Sequence, residues 1–67
     1  MNGNIGKNLK LLRLKKRLRQ KHVAEAIGVS RITISNYERN SYVPKWGNLE
    51  KLAEFYGVSV EEITKKQ

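Results

Sequence analysis

Few side chains in this sequence could make or break a covalent bond. It has no cysteine, no aspartate and one histidine, His22. Covalent catalysis needs a nucleophile within reach of a base, and the base oriented by a third group. One imidazole and scattered glutamates do not assemble that set. The adjacent acids Glu61 and Glu62 open a helical segment, where carboxylates complement the helix dipole. Zinc ligation fails on the same ground, because it draws on Cys and His at fixed spacing. The sequence therefore implies no enzyme, no metal and no cofactor. A different chemistry is well supplied between Arg31 and Asn36. Arg31 brings a forked donor, Thr33 and Ser35 bring hydroxyls, Asn36 brings an amide, and Ile32 brings a branched apolar surface. These groups suit reading the edge of another molecule.

The charge pattern says what kind of molecule. Net charge is +8, from 14 Lys and Arg against 6 acidic residues. Lys7, Lys10, Arg13, Lys15, Lys16, Arg17, Arg19 and Lys21 all precede the first acid, Glu25. Basic surface attracts a phosphate backbone, so a polyanion is the natural partner. An anionic membrane surface is a weaker rival. No apolar run approaches the ~20 residues that a membrane helix needs. The N-terminal stretch Met1-Asn2-Gly3-Asn4 lacks the apolar segment of a signal peptide. Cytoplasmic residence is the expectation, with no membrane partner.

The elements that would position these groups are short helices in one domain covering residues 1–67. No segment alternates long enough for a strand. The first helix is expected from Ile5 to Arg17, with Ile5, Leu9, Leu12 and Lys16 on one face. The second runs from about Gln20 to Ile27, with Val23, Ala24 and Ile27 inward, and Gly28 stops it. Ser30 caps a third helix that reaches Glu38 with Ile34 and Tyr37 inward. The polar stretch from Arg39 to Val43 is a loop. Pro44 sits near the first turn of a fourth helix, which turns Trp46, Leu49, Leu52, Ala53 and Tyr56 inward and ends at Gly57. Ser59 and Glu62 form a capping box for a short fifth helix.

The informative stretch runs from Gln20 to Arg39. Ala24 is small where a second helix must cross closely, Gly28 makes the turn, Val29 fills the space beneath it, and Ile34 returns to the core. Two helices crossing steeply through a tight turn require this spacing. With these residues, and with Ile5-Gly6, Leu12-Arg13, Tyr37-Glu38, Leu52-Ala53 and Tyr56-Gly57-Val58-Ser59-Val60 around them, the chain resembles the lambda-repressor-like, Cro-like (XRE) helix-turn-helix regulators. The resemblance covers Ile5 to Ile63. It implies an all-α, five-helix domain with the helix-turn-helix at helices 2 and 3, the third helix entering the DNA major groove, and a two-fold dimer. It also implies a structural ion pair between Arg13 and Glu38 and a phosphate contact from Gln20. Three positions depart from the family pattern. Arg19 stands where a capping hydroxyl is usual, Arg17 replaces a frequent Gly after helix 1, and Asn40 replaces the Gly after helix 3.

The expected site follows from the helical wheel. With Ile34 and Tyr37 inward, Ile32, Ser35, Asn36 and Arg39 point outward, and Arg31 and Thr33 flank them. Arg31 suits guanine O6 and N7, Asn36 suits adenine, and Ile32 suits a thymine methyl; Thr33 and Ser35 reach a base edge or a phosphate. The phosphate-binding set is Gln20, Ser30, Arg39, Asn40, Ser41, Tyr42 and Lys45. Gln20 opens a helix whose backbone N–H groups favour an anion. Ser30 serves as cap, phosphate ligand or both. His22 is either a surface histidine or a phosphate contact. The expected function is a sequence-specific regulator of transcription, a repressor on an inverted-repeat operator. The rival is a protein-interaction or antitoxin-like adaptor on the same fold. The expected partners are double-stranded DNA and a second copy, with RNA polymerase contact open and no small-molecule ligand. Phe55, Val60 and Ile63, with Leu11 and Leu14, are the exposed apolar candidates for the dimer contact.

Overall fold

The computed structural model describes residues 4–65; Met1, Asn2 and Gly3 of the N-terminal stretch lie outside them. The helices are α1 (Asn4–Lys15), α2 (Gln20–Ile27), α3 (Arg31–Glu38), α4 (Trp46–Tyr56) and α5 (Val60–Thr64). The described residues contain no strand.

Each boundary has a local cause. α1 ends earlier than its apolar pattern expects, because Arg17 takes a left-handed conformation with φ 57°. That conformation costs a non-glycine residue about 1 kcal/mol. Arg13 offsets it by donating from Nη1 to the Leu18 carbonyl at 2.9 Å, across the turn. Lys16 consequently lies in that turn, exposed, and not on the inner face with Ile5 and Leu9. At α2 the cap residue Arg19 has no side-chain acceptor to offer. The compensation runs the other way: His22 Nδ1 accepts from the Arg19 backbone N–H at 3.4 Å. Gly28 closes α2 at φ 80°, and its N–H and that of Val29 both donate to the Ala24 carbonyl at 2.9 and 3.0 Å. Ser30 Oγ then accepts from the Thr33 N–H at 3.1 Å and starts α3. Ser59 does the same for α5, accepting from the Glu62 N–H at 3.1 Å.

All five helices supply the core: Ile5 and Leu9; Val23, Ala24 and Ile27; Ile34 and Tyr37; Leu49, Leu52, Ala53 and Tyr56; and Ile63. Two expectations are corrected here. Trp46 is 63% exposed, although its spacing to Leu49 and Leu52 put it inward. It is the first residue of α4, one turn beyond the neighbours that bury the rest of that face. Ile63 is fully buried, so it is not an exposed dimer candidate; Phe55 and Val60 are half-buried against the core.

Two close approaches fix α1. A Cβ on Gly6 would lie 2.5 Å from the Glu38 carbonyl oxygen and 2.6 Å from that of Tyr37. Only glycine lets α1 meet the end of α3 this closely. At the same point Asn40, with φ 61°, turns its Oδ1 to accept from the Gly6 N–H at 3.0 Å. That bond satisfies one of the donors that the first turn of a helix leaves without an internal partner. On the other side, Asn8 Nδ2 donates to the Ile63 and Lys65 carbonyls at 2.7 and 3.0 Å and holds α5.

Candidate nucleic-acid interface

α3 packs its back on α1 and α2 and leaves its N-terminal turn in the open. Ile34, Tyr37 and Glu38 are buried; Arg31 and Ile32 are exposed, Ile32 by 63%; Thr33, Ser35 and Asn36 are half-buried. Of the five candidate reading residues, Arg31 and Ile32 are the most accessible.

A chain of hydrogen bonds links α1 to Arg31. Arg13 Nε and Nη2 donate to Glu38 Oε2 and Oε1 at 2.8 and 3.0 Å. Gln20 Nε2 donates to the same Glu38 Oε1 at 3.1 Å. Arg31 Nη1 reaches Gln20 Oε1 at 3.5 Å. The bidentate arginine–carboxylate fork is the strong member. Its arginine and carboxylate side chains are only 11% and 4% exposed. Glu38 holds Arg13 more firmly protonated than an isolated arginine, chiefly by this hydrogen bond. Gln20 thus starts α2 with its amide nitrogen committed to Glu38 and its amide oxygen facing Arg31. No local pattern announces this link, because Gln20 and Glu38 are 18 residues apart in sequence.

Other candidates meet in pairs. The hydroxyls of Ser30 and Thr33 lie 2.9 Å apart. Arg39 Nη2 donates to Asn36 Oδ1 at 2.8 Å. Tyr42 stands edge-on to Tyr37, with ring centroids 6.4 Å apart, and is 56% exposed. Tyr42, Val43 and Lys45 line a cleft of about 530 Å³ together with Thr33 and Tyr37. Ser41 is exposed beside it, its N–H bonded to the Asn36 carbonyl at 2.9 Å. Asn40 stands apart, its side-chain oxygen directed at α1. The spacing argument missed Trp46, which the structure exposes one residue after Lys45. Among the described residues no group of acids and histidine is placed to hold a metal ion.

Residues 9–63 match the family described as Helix-turn-helix. The chain belongs to that family. Its match to the Cryptic phage CTXphi transcriptional repressor RstR of Vibrio cholerae is 44% identical over 52 residues, 78% of this chain and 47% of that protein. The HTH-type transcriptional regulator ImmR of Bacillus subtilis (strain 168) is 36% identical over 63 residues, 94% of this chain and 50% of the relative. The chain thus spans about half the length of these helix-turn-helix relatives. The fold is that of lambda-repressor-like domains: it superposes on the P22 c2 repressor protein, solved in complex with a synthetic operator, with a TM-score of 0.89 and 28% identity, covering 94% of this chain and 96% of that one. These relatives are named for transcriptional regulation, and the family is one of DNA-binding regulators and not of enzymes. No helix among the described residues is long and apolar enough to cross a membrane.

Proposed function

We propose that this chain is a sequence-specific DNA-binding domain of a transcriptional repressor, working in the cytoplasm. It docks the N-terminal turn of α3 in the major groove and binds an inverted-repeat operator as a homodimer. The observation that carries this reading is the exposed edge of α3. Arg31 and Ile32 project from a helix whose opposite face is locked into the core. An exposed isoleucine beside an arginine has a use against two neighbouring base pairs, one offering a thymine methyl and the other the guanine O6 and N7 acceptors. Arg31, Ile32, Thr33, Ser35 and Asn36 read bases. Gln20, Ser30, Arg39, Ser41, Tyr42 and Lys45 lie along the phosphates, with Asn40 holding the loop that carries four of them. Arg13 and Glu38 touch no base; they set the height of Gln20 under Arg31. The dimer follows from size. A domain of 27 × 23 × 21 Å offers one recognition helix, and two half-sites about 34 Å apart are the usual way to reach specific affinity. Repression then comes from covering a promoter or contacting RNA polymerase.

Selection from a random duplex pool tests the proposal. The expected result is one enriched sequence with two inverted half-sites a helical turn apart. Failure to enrich any duplex, with equal retention of RNA hairpins, would overturn it.

A further inference from the structure

α1 carries two leucines that the fold leaves outside. Leu11 is 43% and Leu14 50% exposed. At about 100° per residue, Ile5 and Leu9 face the core, Gly6 and Arg13 meet α3, and Asn8 meets the end of α5. Lys7, Lys10, Leu11 and Leu14 occupy the remaining stripe, and all four are exposed. Beside it lies a groove of about 260 Å³ to which Leu11, Leu12 and Val58 give apolar lining, Lys15 and Lys65 give positive charge and Glu62 gives one negative charge, so that with Lys7 and Lys10 on the stripe the cations outnumber the acid. The groove has fixed walls, because Asn8 clamps the end of α5 to α1 through two hydrogen bonds.

Charge decides what fits. A second copy of this chain would bring Lys7, Lys10 and Lys15 against the same cations with Glu62 as the one acid of the groove to offset them, and like charges across an interface cost several kcal/mol. A phosphate backbone gains nothing from two leucines. A bilayer surface needs a broader apolar face than two leucines provide. A concave apolar strip flanked by lysines matches a helix with apolar anchors at i, i+3 or i+4 and carboxylates beside them.

We propose that the outer face of α1, with the groove it shares with Val58 and Lys65, docks an acidic amphipathic helix of another protein. The face is on a different side of α1 from the contacts with α3, so docking leaves Arg31 and Ile32 uncovered. The partner can bind while the α3 edge is occupied.

The test is a nuclear magnetic resonance titration of the protein with a short synthetic Glu-rich peptide carrying leucines at i, i+3, i+4 and i+7. Amide shifts should concentrate at Leu11, Leu14, Lys15 and Val58. Leu11→Ser with Leu14→Ser should weaken the peptide by at least about tenfold and leave binding to random-sequence duplex unchanged. Lys10→Glu with Lys15→Glu should weaken the peptide similarly without touching any apolar contact. Shifts centred on Arg31, Ile32 and Lys45 would overturn the proposal, because the peptide would then be imitating phosphate. Equal binding of a peptide with serine in place of leucine would overturn it as well. So would concentration-dependent shifts at Leu11 and Leu14 in the protein alone, which would assign the face to a second copy. Leucine-dependent binding to phosphatidylglycerol vesicles without peptide binding would assign it to a membrane.

Discussion

Removing Arg13 leaves the Glu38 carboxylate buried, with Gln20 still donating to it in the chain of bonds. A buried charge stripped of its partner is costly, whereas replacing both members by apolar groups is often nearly neutral. Arg13→Met should therefore destabilise by roughly 3 kcal/mol, a fall in Tm of more than about 10 °C for a domain of this size. Arg13→Met with Glu38→Leu should recover most of that loss. Thermal unfolding by circular dichroism measures both, and an unchanged Tm in the single variant would contradict the role assigned to the pair. Tyr56 gives a second residue-level prediction. Burial, and secondarily the nearby Glu38 charge, raise its pKa well above the ordinary tyrosine value. The phenol is protonated in both states below about pH 10, so it adds no pH dependence to stability there. Above that, the unfolded chain ionises and the folded one does not, so stability falls with rising pH. Tyr56→Phe should flatten the alkaline decline in denaturant midpoint; an identical decline would assign it to other groups. At this scale the residues that face one another within a turn were legible, as Ser30 with Thr33. The Gln20–Glu38 bond and the Asn40–Gly6 bond join residues far apart in sequence, and nothing local encodes them.

The helices show where periodicity informs and where it stops. It places Ile34 and Tyr37 inward and Arg31 and Ile32 outward, because the direction of a side chain around the axis repeats with the turn. It fails at Trp46, because it says nothing about how far along the axis the neighbouring helices extend. It also carried α1 through Arg17, since a left-handed residue at a helix end is invisible to an apolar pattern. Two glycines within helices separate the forces at this scale. Alanine is preferred to glycine in a helix by about 1 kcal/mol. At Gly47 a Cβ meets nothing within 4 Å, so Gly47→Ala should stabilise by up to about that amount. At Gly6 the new Cβ would collide with two backbone carbonyls that cannot yield without moving α3. Overpacking of that kind costs about 1–3 kcal/mol and outweighs the helix gain, so Gly6→Ala should destabilise. Denaturant midpoints at matched slope decide it. If both variants shift the same way, propensity and not the α1–α3 contact governs Gly6.

For the whole molecule, the +8 charge points to a polyanion, and the helix-turn-helix spacing made the fold legible in the sequence. The docking geometry was less so, because exposure is a property of the assembled helices: the sequence offered five reading residues, and packing leaves Arg31 and Ile32 foremost. The central claim is that the α3 edge reads sequence while the loop after it grips phosphate. Those roles separate in one measurement, the affinity of variants for a selected duplex and for its single-base-pair substitutions across a range of salt. Arg31→Ala should lose about 1–3 kcal/mol of discrimination at one base pair and keep most of its salt dependence. Lys45→Ala should weaken all duplexes alike and reduce the salt slope by about one. Unchanged base preference in Arg31→Ala would contradict the account.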